Sequence, residues 1–272
     1  VGSEMCIRDR VATNLDASTK YEYRLLQNDT NSEPEEFTTE DDIQLPNSGF
    51  EDWYTDSDGL PKPAKDASSS FWDCGNVNYF GKHIMTTQDD ETALGQGSSV
   101  KMETQETMKI IAAGNIFTGT FERDGMGGIL TLGRNFECRP NKLKGYYKYT
   151  SAKVSVSKGH LNEGEDDLCS LYIALTDEQI TVNTNKGIYF DPNSSAVIAY
   201  GSISDEESKG ADSFKEFTVD LEYKDLKRIP KYIIVVASSS KYGDYMEGGK
   251  GSTMWLDDLE LVYPKSMEEV RK

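Results

Sequence analysis

Three acidic side chains sit where carboxylate chemistry could be done. Asp73 lies in SSSFWDCGNVNYF, and Asp244 and Glu247 lie in the Gly-rich stretch KYGDYMEGGKGS. Glycoside hydrolysis needs two carboxyl groups about 5–10 Å apart. Asp244 with Asp73, or Asp244 with Glu247, would form such a pair. The chain holds 47 acidic residues, so pairs also arise by chance, and pairing alone does not choose an enzyme over a binding protein. Sugar binding asks for other residue types: an aromatic face against the C–H side of a pyranose, with hydrogen-bonding groups at the rim. Trp72, Asn76 and Tyr79 offer these in the first stretch, Tyr242 and Asp244 in the second. A tryptophan in a sandwich is more often core than platform, and Trp72, surrounded by polar turn formers, is the better platform candidate. RPNKLKGYYKY adds Arg139, Lys144, Tyr146 and Lys148 to an otherwise acidic protein. That surface would suit an acidic or hydroxyl-rich glycan through the bidentate reach of Arg139. The competing reading is local charge balance against acidic loops.

A further carboxylate raises a different question. In GSTMWLDDLELVY, strand alternation puts Trp255, Asp257, Leu259, Leu261 and Tyr263 on the more apolar face, which should meet a core. Trp255 is then core and Asp257 points inward. A buried, unpaired carboxylate is costly or takes up a proton, so Asp257 needs a partner. The other types are sparse. The histidines, His83 and His160, are two and far apart, which disfavours a zinc site or a His-based triad. Cys74, Cys138 and Cys169 show no metal spacing. One disulfide with a free thiol and three buried thiols are both open.

The elements that must position these groups read as strands. The chain has 272 residues and a net charge of −18. A chain this acidic lacks the basic face of a nucleic-acid binder. It has no apolar run long enough to cross a membrane as a helix. Apolar or alternating runs at 108–114, 144–156, 169–177, 196–203, 214–223, 231–240 and 253–263 are separated by Gly, Asn, Asp and Ser turns. They predict an all-β fold, an antiparallel β-sandwich or jelly roll. A slip near Glu216 predicts a bulge. The acidic stretches 163–167 and 204–210 read as solvated connections.

Residues 1–10 look like a translated adapter-derived artefact and are set aside. Residues 11–40 are similar to the C-terminal end of a truncated fibronectin type III or immunoglobulin-like domain, with Tyr21 or Tyr23 as corner tyrosine. An ordinary hairpin of the main domain is the alternative. Residues 41–46 form a linker, 47–264 the jelly roll and 265–272 a tail.

Four segments in order, GFEDW, AAGNIFTGTF, FECRPNKLKGYYKY and SSSKYGDYMEGGKGSTMWLDDLELVY, resemble the family called putative carbohydrate metabolism domain. The resemblance covers roughly residues 45–264. It implies a jelly roll of the galactose-binding-like, carbohydrate-binding kind. It also implies an extracytoplasmic location, at the cell surface or in the periplasm, with a lipid anchor through an N-terminus missing from this sequence. In such modules the opening N-x-G-F-E and the closing L-D-D-L-x-L meet around a structural calcium. By position the ligands would be Glu51, Asp257 and the carbonyl of Gly49. Without metal, hydrogen bonds from backbone or Asn47 would serve Asp257. The leading expectation is a monomeric glycan-binding module. A glycoside hydrolase is the alternative, and an adhesive surface module a second.

Overall fold

The computed structural model describes residues 15–27 and 30–264. The readings of residues 1–10 and 265–272 lie outside the described residues. Two antiparallel sheets face each other. The smaller runs in the order Thr86–Asp89, Ser99–Glu103, Thr253–Val262, Lys142–Thr150 and Ala211–Asp220. The larger runs Ile180–Asn183, Gly127–Leu132, Asn115–Asp124, Tyr232–Ser238, Ser170–Thr176, Val197–Ser202 and Glu222–Tyr223. Trp72–Asp73 pairs onto its 115–124 strand. The chain is an all-β sandwich.

Alternation builds the core. In Lys142–Thr150, Leu143, Tyr147 and Tyr149 point inward, and Lys142, Lys144, Tyr146 and Lys148 point outward. Leu171, Ile173 and Leu175 meet them from the larger sheet, with Ile233, Val235 and Ala237. The larger sheet buries residues on its other face too. There Phe117, Leu130, Leu132, Ala174, Val182 and Ile234 form a second apolar cluster, with Phe121, Tyr172, Phe190 and Tyr200 at its edge. A sheet apolar on both faces needs cover on both, and the 180–196 segment and the 239–252 connection frame that second face.

The closing strand departs from simple alternation. Lys144 pairs with Glu260 and Tyr146 with Asp257, so three steps on one strand oppose two on the other. Asp258 is the extra residue, with φ of 46°. Aspartate tolerates this left-handed conformation better than most residues. The bulge switches the phase. Met254 and Leu256 point inward before it, and Leu259 and Leu261 after it. Asp257 is buried, at 2% exposure, but its inward placement is corrected: it precedes the bulge, lies opposite the outward Tyr146, and is covered on the outer face by the segment whose Ala93 N–H reaches it. Trp255 is corrected: it sits on the outer face, with Lys148 4.4 Å and Lys101 5.4 Å from its ring centre. Gly145 sits opposite the bulge, where a Cβ would come within 2.7 Å of Leu259 and 3.1 Å of the Asp257 carbonyl. The second irregularity falls between Ala211 and Lys215, next to the slip expected near Glu216.

The two ends of the domain meet. Gln44 bonds both the N–H and the carbonyl of Leu261, and the Leu259 N–H donates to the Ser48 carbonyl at 3.0 Å. Among the described residues Lys20–Tyr23 pairs only with Glu35–Thr38, in a separate two-stranded sheet with Tyr21 stacked on Phe37. Cys74, Cys138 and Cys169 are three buried free thiols. Burial pushes Cys74 and Cys169 up to about 12, which makes them inert at neutral pH. Among the described residues no helix is long and apolar enough to cross a membrane.

Candidate functional site

A cleft opens on the second face of the larger sheet. The hairpin of Asn115–Asp124 and Gly127–Leu132 forms one wall with Phe121, Arg123 and Met126. The 75–79 turn adds Tyr79, and the 243–246 turn adds Asp244 and Met246. Asp244 also borders a narrower adjoining cavity lined by Ser170, Tyr172, Ser238 and Lys241. Gly243 lets the turn come close: a Cβ there would lie 2.4 Å from that of Ala113.

Asp244 stands apart chemically. It makes no hydrogen bond or ion pair among the described residues, and burial alone pushes its carboxyl up to about 6. Near pH 6 it can both donate and accept. Aromatic rings lie beside it. Tyr242 stacks on His160 at 4.4 Å and 16°, and Tyr245 packs at 4.0 Å on Tyr189 and 4.3 Å on His160. Tyr172 stacks on Phe190 at 4.9 Å. Phe80, 95% exposed, packs at 4.4 Å against Tyr79.

The structure brings Tyr79 and Asp244 of the residues singled out in the sequence to the cleft; Tyr242, two residues from Asp244, stacks on His160 outside its lining, and the others lie elsewhere. Trp72 is corrected from platform to core. It is 0% exposed, edge-on to Phe50 at 5.4 Å, and its indole N–H donates to the Pro46 carbonyl at 2.7 Å. Asn76 is likewise buried. Its amide donates to the carbonyls of Pro61 and Thr86 and accepts from the N–H of Met85 and Thr86, which leaves little for a ligand. Asp73 pairs with Lys62 at 2.7 Å and accepts from the N–H of Cys74 and Phe121. Arg139 pairs with Glu40 and donates to the Arg228 carbonyl, tying the end of the N-terminal segment to the domain. Lys144 and Tyr146 lie on the outer face of the smaller sheet, away from the cleft.

Glu247 is fully buried and accepts from the N–H of Leu161 at 2.6 Å, Lys158 at 2.9 Å and His160 at 3.2 Å, and pairs with His160 Nδ1 at 2.9 Å. Burial pushes its carboxyl up, but those hydrogen bonds outweigh it and hold the group below the usual range. It is an anchor and forms no catalytic pair with Asp244. The 163–167 stretch is corrected as well: Asp167 is 1% exposed rather than solvated. It accepts from the hydroxyls of Ser240 and Ser252 and the N–H of Gly249.

The seam around Asp257 is held by hydrogen bonds. The Ala93 and Asp258 N–H groups each donate to its carboxylate at 2.9 Å. Burial, with the neighbouring charges of Asp258 and Glu51, pushes Asp257 up to about 6 against those two bonds. Asp258 Oδ1 and Glu51 Oε1 both approach Gly49, within 3.3 and 3.7 Å of where its Cβ would be. The donors are the hard oxygens calcium takes, though among the described residues no three His, Cys, Asp or Glu side chains converge as a metal cluster.

Sequence reasoning missed Arg123, Phe121, Tyr172, Tyr189, Phe190 and Tyr245. Only YFDPN, an aromatic pair before a turn, hinted at Tyr189 and Phe190.

Residues 40–262 match the family model described as putative carbohydrate metabolism domain, and the chain belongs to that family. A crystal structure described as a putative glycoside hydrolase from Bacteroides thetaiotaomicron is 23% identical. The match covers 91% of this chain and 80% of that one at a TM-score of 0.63. A second, described in the same words and from Bacteroides vulgatus, is 22% identical, covering 82% and 95% at a TM-score of 0.57. At these identities the likeness is one of fold. A comparison with curated proteins finds no match.

Proposed function

We propose that this carbohydrate-family domain binds a glycan in the cleft of its larger sheet, outside the cytoplasm, as a non-catalytic module. The observation that carries this is Asp244, an unpartnered carboxyl at the meeting of two cavities and beside stacked tyrosines. Asp244 is half-buried, and a carboxyl with no partner among the described residues in an aromatic cleft is suited to a hydroxyl-rich ligand, with Tyr79 in the lining and Tyr245 near Asp244 offering ring faces.

Hydrolysis is the second reading, favoured by one observation. A carboxyl at about 6 is poised as a general acid. The second carboxylate that glycosidases need is missing among the described lining residues of both cavities. Binding therefore ranks first.

Calcium at the seam belongs to the proposal. Glu51, Asp257 and the Gly49 carbonyl would hold it, and it would neutralise a negative cluster that no described cation pairs with. We also propose that 11–40 is the end of a fibronectin type III-like or immunoglobulin-like domain, that the protein acts as a monomer, and that a lipid anchor holds it at the cell surface.

Glycan-array screening followed by calorimetry tests the binding reading. Binding should weaken at least about tenfold in Asp244→Asn and in Tyr245→Ala, the loss of one charge-assisted or stacking contact. Unchanged binding in both variants would move the site elsewhere. Release of reducing sugar from a polysaccharide panel, lost in Asp244→Asn, would establish hydrolysis instead.

A further inference from the structure

We propose that the cleft takes an anionic glycan, one bearing a carboxylate or a sulfate, and that Arg123 receives the charged group. This rests on the reading that the cleft binds a sugar. The Arg123 guanidinium lies 4.2 Å from the Tyr79 ring centre, and Nη1 donates to the Gly125 carbonyl at 2.9 Å. These two contacts hold the planar fork in place while its remaining N–H groups stay open. The side chain is exposed and lines the cleft.

The pairing of the other arginines makes this position unusual. Arg24, Arg139 and Arg228 each pair with a carboxylate. Arg134 is turned onto the carbonyls of Phe71 and Gly119. Arg123 has no carboxylate partner among the described residues, in a chain with 47 acidic and 29 basic residues. Its chain neighbours Glu122 and Asp124 are sent to the other side of the hairpin by strand alternation. The Asp124 carboxylate accepts from Asn183 Nδ2 at 3.3 Å. A preorganised guanidinium without a counter-ion matches the bidentate geometry of a carboxylate or sulfate.

The net charge of −18 repels polyanions at a distance. Salt screens that field beyond about 8–10 Å, whereas an arginine–carboxylate contact acts inside this range. Asp244 borders the inner cavity and Arg123 does not. The cleft therefore has a polarity, with an anion-receiving side at Arg123 and a hydroxyl-binding side at Asp244.

Calorimetry with matched glycans tests this. One pair is oligogalacturonate and its methyl ester. The other is a sulfated galactan oligosaccharide and its desulfated form. Wild type, Arg123→Gln and Asp244→Asn are compared, with thermal melts to show that each variant folds. The expected result is that one charged form binds at least about tenfold more tightly than its neutral partner, and that Arg123→Gln erases the preference. The pair showing the preference identifies the group as carboxylate or sulfate. Equal binding of charged and neutral forms, or a preference that survives Arg123→Gln, overturns this inference. If Asp244→Asn still weakens binding in that case, the cleft reading stands. Binding untouched by both variants, or no glycan bound at all, overturns the cleft reading and this inference with it.

Discussion

The connection between the last two long strands carries two acids three residues apart, and they have opposite environments. Glu247 sits in a nest of three N–H groups and an imidazole, and its carboxyl is held below the usual range. Asp244 has no donor, and burial lifts its carboxyl to about 6. A short turn separates them: Met246, at φ of 58°, reverses the chain so that one side chain faces inward to the 157–161 loop and the other faces the cleft. The anchored end makes the open end rigid. A fold that stabilises one acid and leaves its neighbour in want of a partner marks the second as the place for a ligand.

The largest effect should come from breaking the anchor. Glu247→Ala leaves three N–H groups without their acceptor, and stability should fall by about 3–5 kcal/mol, read by urea denaturation. The contribution of Glu247 is present above its unfolded value of about 4.5. It is lost as pH falls through the lower folded value. A loss under 1 kcal/mol would remove the contrast between the two ends.

Asp244→Asn should act in the opposite direction on stability. The folded carboxyl titrates near 6 against 3.8 in the unfolded chain. Its penalty is absent below about pH 4, grows as pH rises towards 6 and is full above that. The variant should therefore be more stable than wild type by about 1–3 kcal/mol at pH 7.5, with the gain vanishing near pH 4. A melt series over that range checks this, and a pH-independent difference would show that desolvation is not the cause.

The seam offers a milder test. Millimolar calcium should raise the melting temperature by a few degrees through binding to the folded state. The rise should disappear with EDTA and in Glu51→Gln. No shift in wild type would leave the Ala93 and Asp258 N–H groups as the whole account of Asp257. The smallest effects belong to the other sheet. Lys144→Ala and Tyr146→Ala should each change stability by no more than about 0.5 kcal/mol. They should leave glycan binding untouched, whereas a loss of binding would move the site to the outer face of the smaller sheet.

Much of the architecture was legible in the residues themselves. Strand periodicity with turn punctuation gave the sandwich. The apolar context of Asp257 foretold its burial, and the resemblance to carbohydrate-binding jelly rolls implied the meeting of the domain's ends. Periodicity and apolar context are local signals: side-chain direction along a strand follows from the backbone repeat. Trp255 escaped the same logic because one left-handed residue, Asp258, shifts the phase, and nothing in LDDLEL marks which aspartate bulges. Trp72 escaped because its polar surroundings describe the turns beside it, not the Phe50 and Pro46 that close over it. Of the cleft, the 242–244 turn and Tyr79 could be named in advance. Arg123, His160, Tyr172 and Tyr189 could not, since they come from segments far apart in the chain and share no spacing rule.

Sheet class, charge and the kinds of side chain available for a sugar are written in the residues themselves. Which carboxylates are used up and which one is left open is set by the folded arrangement. That choice depends on whether backbone N–H groups from distant segments arrive at an acid: they reach Glu247, Asp167 and Asp257, and none reaches Asp244.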